Sequence, residues 1–466
     1  MEKKSDAKYN AIIVLLICIF SLSYISLIFN NNLWTDEAYT VELVSGNSIW
    51  GIISGTANDV HPPLYYIIAK VFISIFGSSI QVYKIVSVIP MFLTMLMGLI
   101  FVTKWFGGRA GILFILFVNA IPCVLEYAVQ VRMYSLAIFF VTLSSLMAYK
   151  VFECDNVRYY VALSIAVLCA CYVHNFAMIS VFFIFIILGI LLLIKERKFP
   201  IKWFVSGISI AILYLPWLLV LYRQTTVRVD NYWIEPVTLE TVLGYPNDIF
   251  GSRIPYSTAM FVIICLFALV ASIVRLVRRH DKVSGFSILL MFVPILTATV
   301  GIVVSVLVTP FFIARYIIPC MGILAISLAV SYCHESNFSF CMLCVFLVIM
   351  YGNSYYTNYV DEYKSTHTQE LLDYLDENMG ENDVIVYNYS LYGFIYRCYF
   401  DDEKLSYIED FDFNSDYENI WFFDSCNNNP NITDEMLTQY SLSKEFIASL
   451  GIEQNDFILY KITQIK

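Results

Sequence analysis

Two adjacent carboxylates, Asp36 and Glu37, occur in the run Trp34-Thr-Asp-Glu-Ala-Tyr39, immediately behind the first apolar stretch of this 466-residue chain. A carboxylate in a partly dry cavity can have its pKa raised until it accepts a proton near neutral pH, so the pair is a candidate general base. The structural alternative is a helix start with Thr35 or Asp36 as N-cap. Asp59 and His61, ahead of Pro62-Pro63-Leu-Tyr-Tyr66, could hold substrate or a divalent metal, although two ligands make an incomplete metal site. Arg132, in Gln130-Val-Arg-Met-Tyr134, and Arg315, in Ala314-Arg-Tyr316, read either as span-end arginines reaching for headgroups or as phosphate clamps. Tyr134 and Tyr316 accompany them. His174, in Tyr172-Val-His-Asn-Phe176, is one of 5 histidines and reads as a hydrogen-bonded structural group or a reacting one. Tyr232 and Trp233 could stack on a sugar or anchor a loop among headgroups.

The elements that must position these residues are membrane helices. Hydrophobic residues make up 59% of the chain and charged residues 14%, far from the roughly 25% charge of soluble domains. A hydrocarbon core about 30 Å thick needs about 20 apolar residues per helix. Such stretches occur at 10–29, 82–104, 110–125, 133–149, 159–175, 176–194, 203–221, 258–276, 286–308, 316–332 and 339–352. This gives a polytopic α-helical membrane protein of about eleven spans. Lysines ahead of the first span place the N-terminus in the cytoplasm. Alternation then puts the loops 104–109, 150–158, 195–202 and 275–282, all rich in Lys and Arg, on the same side. Every candidate residue falls on the other side, in the loop 30–81, the turns near 130, 174 and 315, or the loop 222–257. Short apolar runs at 48–53 and 62–76 read as helices lying in the interface.

Charge divides the chain. From Asp361 onward lie 22 of the 38 acidic residues but only 6 of the 28 basic ones. No basic stripe exists outside the loops, which excludes a nucleic-acid partner. Residues 1–352 form the membrane part. Residues 353–466 carry helical runs at 368–378 and 434–440 and β-like runs at 384–387, 420–423 and 457–462, which suggests a C-terminal extracytoplasmic α/β domain. Ten of the 12 cysteines lie in or beside apolar stretches, and Cys398 and Cys426 fall in the tail, where an oxidising compartment would let them pair.

The ordered series Trp-Thr-Asp-Glu-Ala-Tyr-Thr, His-Pro-Pro-Leu-Tyr-Tyr, Arg-Met-Tyr-Ser-Leu, Tyr-Val-His-Asn-Phe, Tyr-Leu-Pro-Trp, Tyr-Trp-Ile and Ala-Arg-Tyr-Ile-Ile-Pro resembles the bacterial family 39 glycosyltransferases. These are related to protein O-mannosyltransferases and the lipid A aminoarabinose transferase. The resemblance runs from Leu33 to about Pro319. It implies a GT-C-type bundle and a polyprenyl-phosphate-linked sugar donor. The acceptor would be a protein, lipid or polysaccharide at the membrane lipid surface. It also implies Asp36 as base, Glu37 as support, inversion at the anomeric carbon, and a phosphate met by Arg132, Arg315 and His174. The sequence departs from the aminoarabinose branch in having no Lys or Arg between Asp36 and Lys70. A transporter or flippase of lipid-linked saccharides is a rival class, although such proteins place polar groups mid-span and show repeated halves. A noncatalytic glycolipid-binding relative is another.

Overall fold

In the computed structural model, residues 2–30, 32–226, 234–360, 368–425, 430–452 and 455–465 are described. Helix α1 (Glu2–Leu27) leads into a loop that folds as three short helices, α2 (Thr35–Gly46), α3 (Ile49–Asn58) and α4 (Leu64–Phe76). The last two fall on the short apolar runs at 48–53 and 62–76. The bundle continues with α5 (Ile80–Phe106), α6 (Gly108–Ala120), α7 (Pro122–Val129), α8 (Tyr134–Cys154), α9 (Val157–Val173), α10 (Asn175–Glu196) and α11 (Ile201–Thr226). After α12 (Leu239–Phe250) come α13 (Ser257–Arg279), α14 (Lys282–Leu307), a 3-10 turn Ala314–Cys320, α15 (Met321–Tyr332) and α16 (Asn337–Asn358). Among the described residues nine helices are long and apolar enough to cross a membrane, and the bent pair α6–α7 makes a tenth. The eleventh stretch expected from sequence is α9, apolar but only 17 residues long, or roughly 26 Å at 1.5 Å per residue.

Two expectations need correction. The span at 110–125 is broken at Ala120, and α7 turns 72° away from α6. Pro122 explains the break, because it lacks an N–H and drives the preceding residue out of the helical region; Ile121 is extended at φ −69°, ψ 115°. The turn expected at 126–132 is therefore mostly helix, with the chain turning at 130–133. The long connection 222–257 also contains a helix, α12, whose N-cap Thr238 accepts a 3.2 Å bond from Thr241 N. Helix α12 packs on α13 and on the 314–320 turn. Its apolar residues Leu239 and Leu243 stay exposed, which hid its period from a search for buried stripes.

Buried hydroxyls and small residues close the bundle. Ser287 bonds Ser327 and Ser331 between α14 and α15. Gly322 on α15 lies so near α8 that a Cβ there would stand 1.9 Å from Thr142 Oγ1. Small residues let backbones approach where lipid gives helices no hydrophobic drive to associate.

The tail begins with α17 (Thr368–Asn378) and builds a five-stranded mixed sheet. Its strands are β1 (Val384–Tyr387), β2 (Leu405–Tyr407), β3 (Asn419–Asp424), β4 (Leu442–Ile452) and β5 (Asn455–Gln464), in the order β2-β1-β3-β5-β4. Strands β1, β2 and β3 run parallel, while β5 is antiparallel to β3 and β4. The buried central strands β1 and β3 match the runs legible in sequence. Strands β2 and β4, at the edges, were missed. A one-turn helix, Gly393–Tyr396, docks on α2: Arg397 Nε lies 2.9 Å from Glu42 Oε2, and Phe394 meets Tyr39 edge to face at 5.7 Å. Cys398 is a free thiol beside this contact, pushed up to about 12 by burial, and Cys426 lies outside the described residues.

Candidate active site

Asp36 stands in the first turn of α2, where its side chain is 32% exposed and meets two guanidiniums. Arg132 Nη2 lies 3.7 Å and Arg315 Nη2 3.3 Å from the same oxygen, Oδ2. Arg132 is buried and also donates through Nη1 to the Asp36 carbonyl at 3.0 Å and to Thr40 Oγ1 at 3.3 Å. Burial acts against its charge, but Tyr66, Asp36 and Tyr134 outweigh burial and raise its pKa above the ordinary value. Arg315 comes from the 3-10 turn at the head of α15, and its guanidinium lies over the Trp34 ring at 5.2 Å. Residues far apart in sequence thus converge on one carboxylate.

Glu37, one position on, points the other way and is buried. Its Oε1 accepts from Val131 N at 2.6 Å and its Oε2 from Trp34 N at 3.2 Å. The first bond ties α2 to the 130–133 turn that carries Arg132. The second closes the N-terminus of α2, whose N-cap is Trp34 and not Thr35 or Asp36 as expected, with Glu37 at the third helical position reaching back to it. The same turn is braced from α5, where Ser87 donates to the Arg132 carbonyl at 3.2 Å and bonds the Tyr65 hydroxyl at 2.7 Å.

His174 caps α10. Its Nδ1 accepts from Phe176 N at 3.1 Å, so the ring proton sits on Nε2. Burial, then Arg132 and Arg315, push its pKa down to about 3. Its low pKa leaves the ring neutral at neutral pH, with an Nε2–H free to donate, whereas the resemblance implies a cation. It packs against His61 (5.5 Å), Tyr134 (5.4 Å) and Tyr316 (5.6 Å) between ring centres. His61 is likewise held neutral by burial and Arg132. Burial raises the Asp59 carboxyl, partly offset by the Val60 backbone N–H. The turn carrying both is tied down by Asn175 Nδ2 on the Val60 carbonyl at 2.9 Å and by Gln224 Nε2 on the Thr56 carbonyl at 3.1 Å.

Tyr66 Oη, Arg132 Nε, Tyr134 Oη and His174 Nε2 are buried donors without a hydrogen-bond partner among the described residues, as are two neighbouring acceptors, Gln130 Oε1 and Asn175 Oδ1. Buried polar atoms are satisfied as a rule, so water or substrate must meet this set. The four donors suit an oxyanion. Asp59 and His61 find no third ligand: no group of three or more His, Cys, Asp or Glu that could hold a metal occurs among the described residues. Tyr232 and Trp233 lie outside the described residues. Sequence reasoning passed over Trp34 and Tyr66, which lie inside quoted motifs but look like ordinary interfacial aromatics. It also passed over Lys84, a buried lysine whose Nζ donates to the Asn30 carbonyl at 3.3 Å and to Asn30 Oδ1.

Neither a protein-family model nor a curated protein sequence matches the chain. Solved structures do. The chain is similar to ArnT from Cupriavidus metallidurans in the apo state, with a TM-score of 0.64 at 10% identity, covering 97% of this chain and 98% of that one. It is also similar to ArnT from the same organism bound to undecaprenyl phosphate, with a TM-score of 0.61 at 11% identity over 96% and 97% of the two chains. The likeness extends through the tail as well as the bundle. The chain is a multi-pass helical membrane protein with the fold of ArnT, the GT-C fold that the motif series implied.

Proposed function

We propose that this protein is a glycosyltransferase that moves a sugar from a polyprenyl-phosphate donor to an acceptor hydroxyl at the extracytoplasmic face of the membrane. The observation that carries the reading is the Arg132–Asp36–Arg315 constellation, a partly open carboxylate between two guanidiniums, on a fold shared with ArnT, one of whose structures holds undecaprenyl phosphate. In the proposed step Asp36 Oδ1 takes the acceptor proton as the acceptor oxygen bonds the anomeric carbon. The bond from that carbon to the phosphate oxygen breaks on the opposite side, which inverts the centre. The leaving phosphate carries the displaced electron pair. Arg132 and Arg315 meet its charge, and His174 Nε2, Tyr134 and Tyr66 donate hydrogen bonds to it.

Glu37 is a positioning residue in this reading, because both its oxygens hold backbone amides. Asp59 and His61 bind substrate beside the arginines, and the aromatic rings of Tyr232 and Trp233 suit stacking on a sugar. Residues 1–352 carry the reaction, and residues 353–466 form an accessory domain on the same face, seated on α2. Polar groups gathered at one end of the bundle favour this reading over a transporter, which would carry them mid-span.

The test is mass spectrometry of cell-envelope glycans and lipid-linked sugars with and without the gene. The expected result is loss of one sugar substituent and accumulation of its polyprenyl-phosphate precursor. Unchanged glycans and an unchanged precursor pool would contradict the proposal.

A further inference from the structure

The span Ala314–Tyr332 carries Arg315 at one end and leads to His334 beyond the other, roughly 30 Å away at 1.5 Å per residue. At that far end lies a cavity of about 320 Å³ lined by Trp105, Phe106, Arg275, Arg279, Asp281 and His334, among others. The carboxylates around it are engaged. Asp281 accepts from Val283 N (3.0 Å), Ser284 N (3.2 Å) and Ser284 Oγ (2.6 Å), capping α14. Glu335 lies 3.8 Å from Arg275 Nη1, and its carbonyl accepts from Arg109 Nη1 at 2.8 Å. Arg275 also donates through Nη2 to the Ser331 carbonyl, while its Nε is buried with no hydrogen-bond partner. Arg279 makes no hydrogen bond or ion pair among the described residues. Among the lining residues two arginines stand against one carboxylate, a net charge of +1, next to an apolar wall where Trp105 stacks on Phe101 at 5.0 Å.

We propose that this cavity is a phosphate-group site, occupied by the phosphodiester headgroup of an anionic membrane phospholipid. Arg275 and Arg279 would meet the phosphate, and Trp105 and Phe106 would lie along the glycerol and first acyl carbons. A guanidinium matches phosphate oxygens in pairs. Basic pockets between spans at a membrane surface select anionic headgroups over zwitterionic ones by charge. The assignment is independent of the sugar-transfer reading, since none of these residues touches that site.

Native mass spectrometry of the full-length protein, titrated with phosphatidylglycerol and with phosphatidylcholine, tests it. The wild type is expected to retain phosphatidylglycerol about tenfold more tightly, and Arg279→Gln to remove that preference. Arg275→Gln also removes contacts to Ser331 and Glu335 and can unfold this corner, so Arg279→Gln decides. Arg278→Gln, at the equally exposed neighbour outside the cavity lining, is expected to leave the preference intact. Equal retention of the two lipids, an unaffected Arg279→Gln, or an equal loss in Arg278→Gln would overturn the site. Displacement of phosphatidylglycerol by millimolar inorganic phosphate would assign the cavity to a soluble phosphate and overturn the lipid.

Discussion

At the scale of the residue, two neighbouring carboxylates have unlike surroundings. Asp36 is open and faces two cations, whereas Glu37 is buried and holds two backbone amides. Sequence could name the pair but not divide it, because the division depends on which residue of α2 faces the 130–133 turn, a contact across 94 positions. The two arginines are legible as a choice between snorkelling and clamping, and the fold turns both inward onto one oxygen of Asp36, which speaks against snorkelling. His174 was placed correctly at its turn, but its charge was misjudged, since burial and two nearby arginines are invisible in sequence. This makes a pH prediction. A histidine whose folded pKa lies near 3 binds its proton only in the unfolded state between about pH 6.5 and 3, so its share of stability is complete above about 6.5 and lost as pH falls. Between pH 7 and pH 5 that share is about 2 kcal/mol. His174→Gln should flatten the fall in thermal midpoint over this range, with His61 supplying the slope that remains. An unchanged slope would mean that His174 is protonated in the fold.

At the scale of the element, hydropathy located the helices well because each must satisfy its own backbone in lipid. It failed where local chemistry interrupts the pattern, as at Pro122, and where an apolar face stays uncovered, as in α12. In the sheet, β1 and β3 announced themselves through continuous buried residues. Edge strand β4 reads Leu442-Ser-Lys-Glu-Phe446 and carries a bulge between Phe446 and Ala448, which breaks the alternation that reveals a strand. Close helix packing gives a second prediction. Gly322→Ala would force a methyl against Thr142 Oγ1, which is itself bonded to the Ile138 carbonyl at 2.6 Å. A loss of ~1–3 kcal/mol is expected by thermal unfolding in detergent. Adding Thr142→Ala should restore most of it. Gly352→Ala, with nothing within 4 Å of the new Cβ, should leave the midpoint unchanged.

At the scale of the whole molecule, the candidate site and the sheet lie at the same end of the bundle, joined through α2 by the Arg397–Glu42 and Phe394–Tyr39 contacts. The lysine- and arginine-rich loops lie at the other end. By the positive-inside rule we propose that the site and the tail are extracytoplasmic. A C-terminal alkaline phosphatase fusion should therefore be active and a C-terminal green fluorescent fusion dark; the reverse pattern would invert the topology. The most direct test of the catalytic proposal is Asp36→Asn in purified, reconstituted protein, assayed for sugar transfer and for undecaprenyl phosphate binding. On the proposed mechanism Asp36 competes with phosphate for both guanidiniums, so its neutral isostere should bind undecaprenyl phosphate at least as tightly. Transfer should fall by roughly 10²–10⁴-fold, the range attributed to a positioned base. Transfer at the wild-type rate with binding intact would contradict Asp36 as the base.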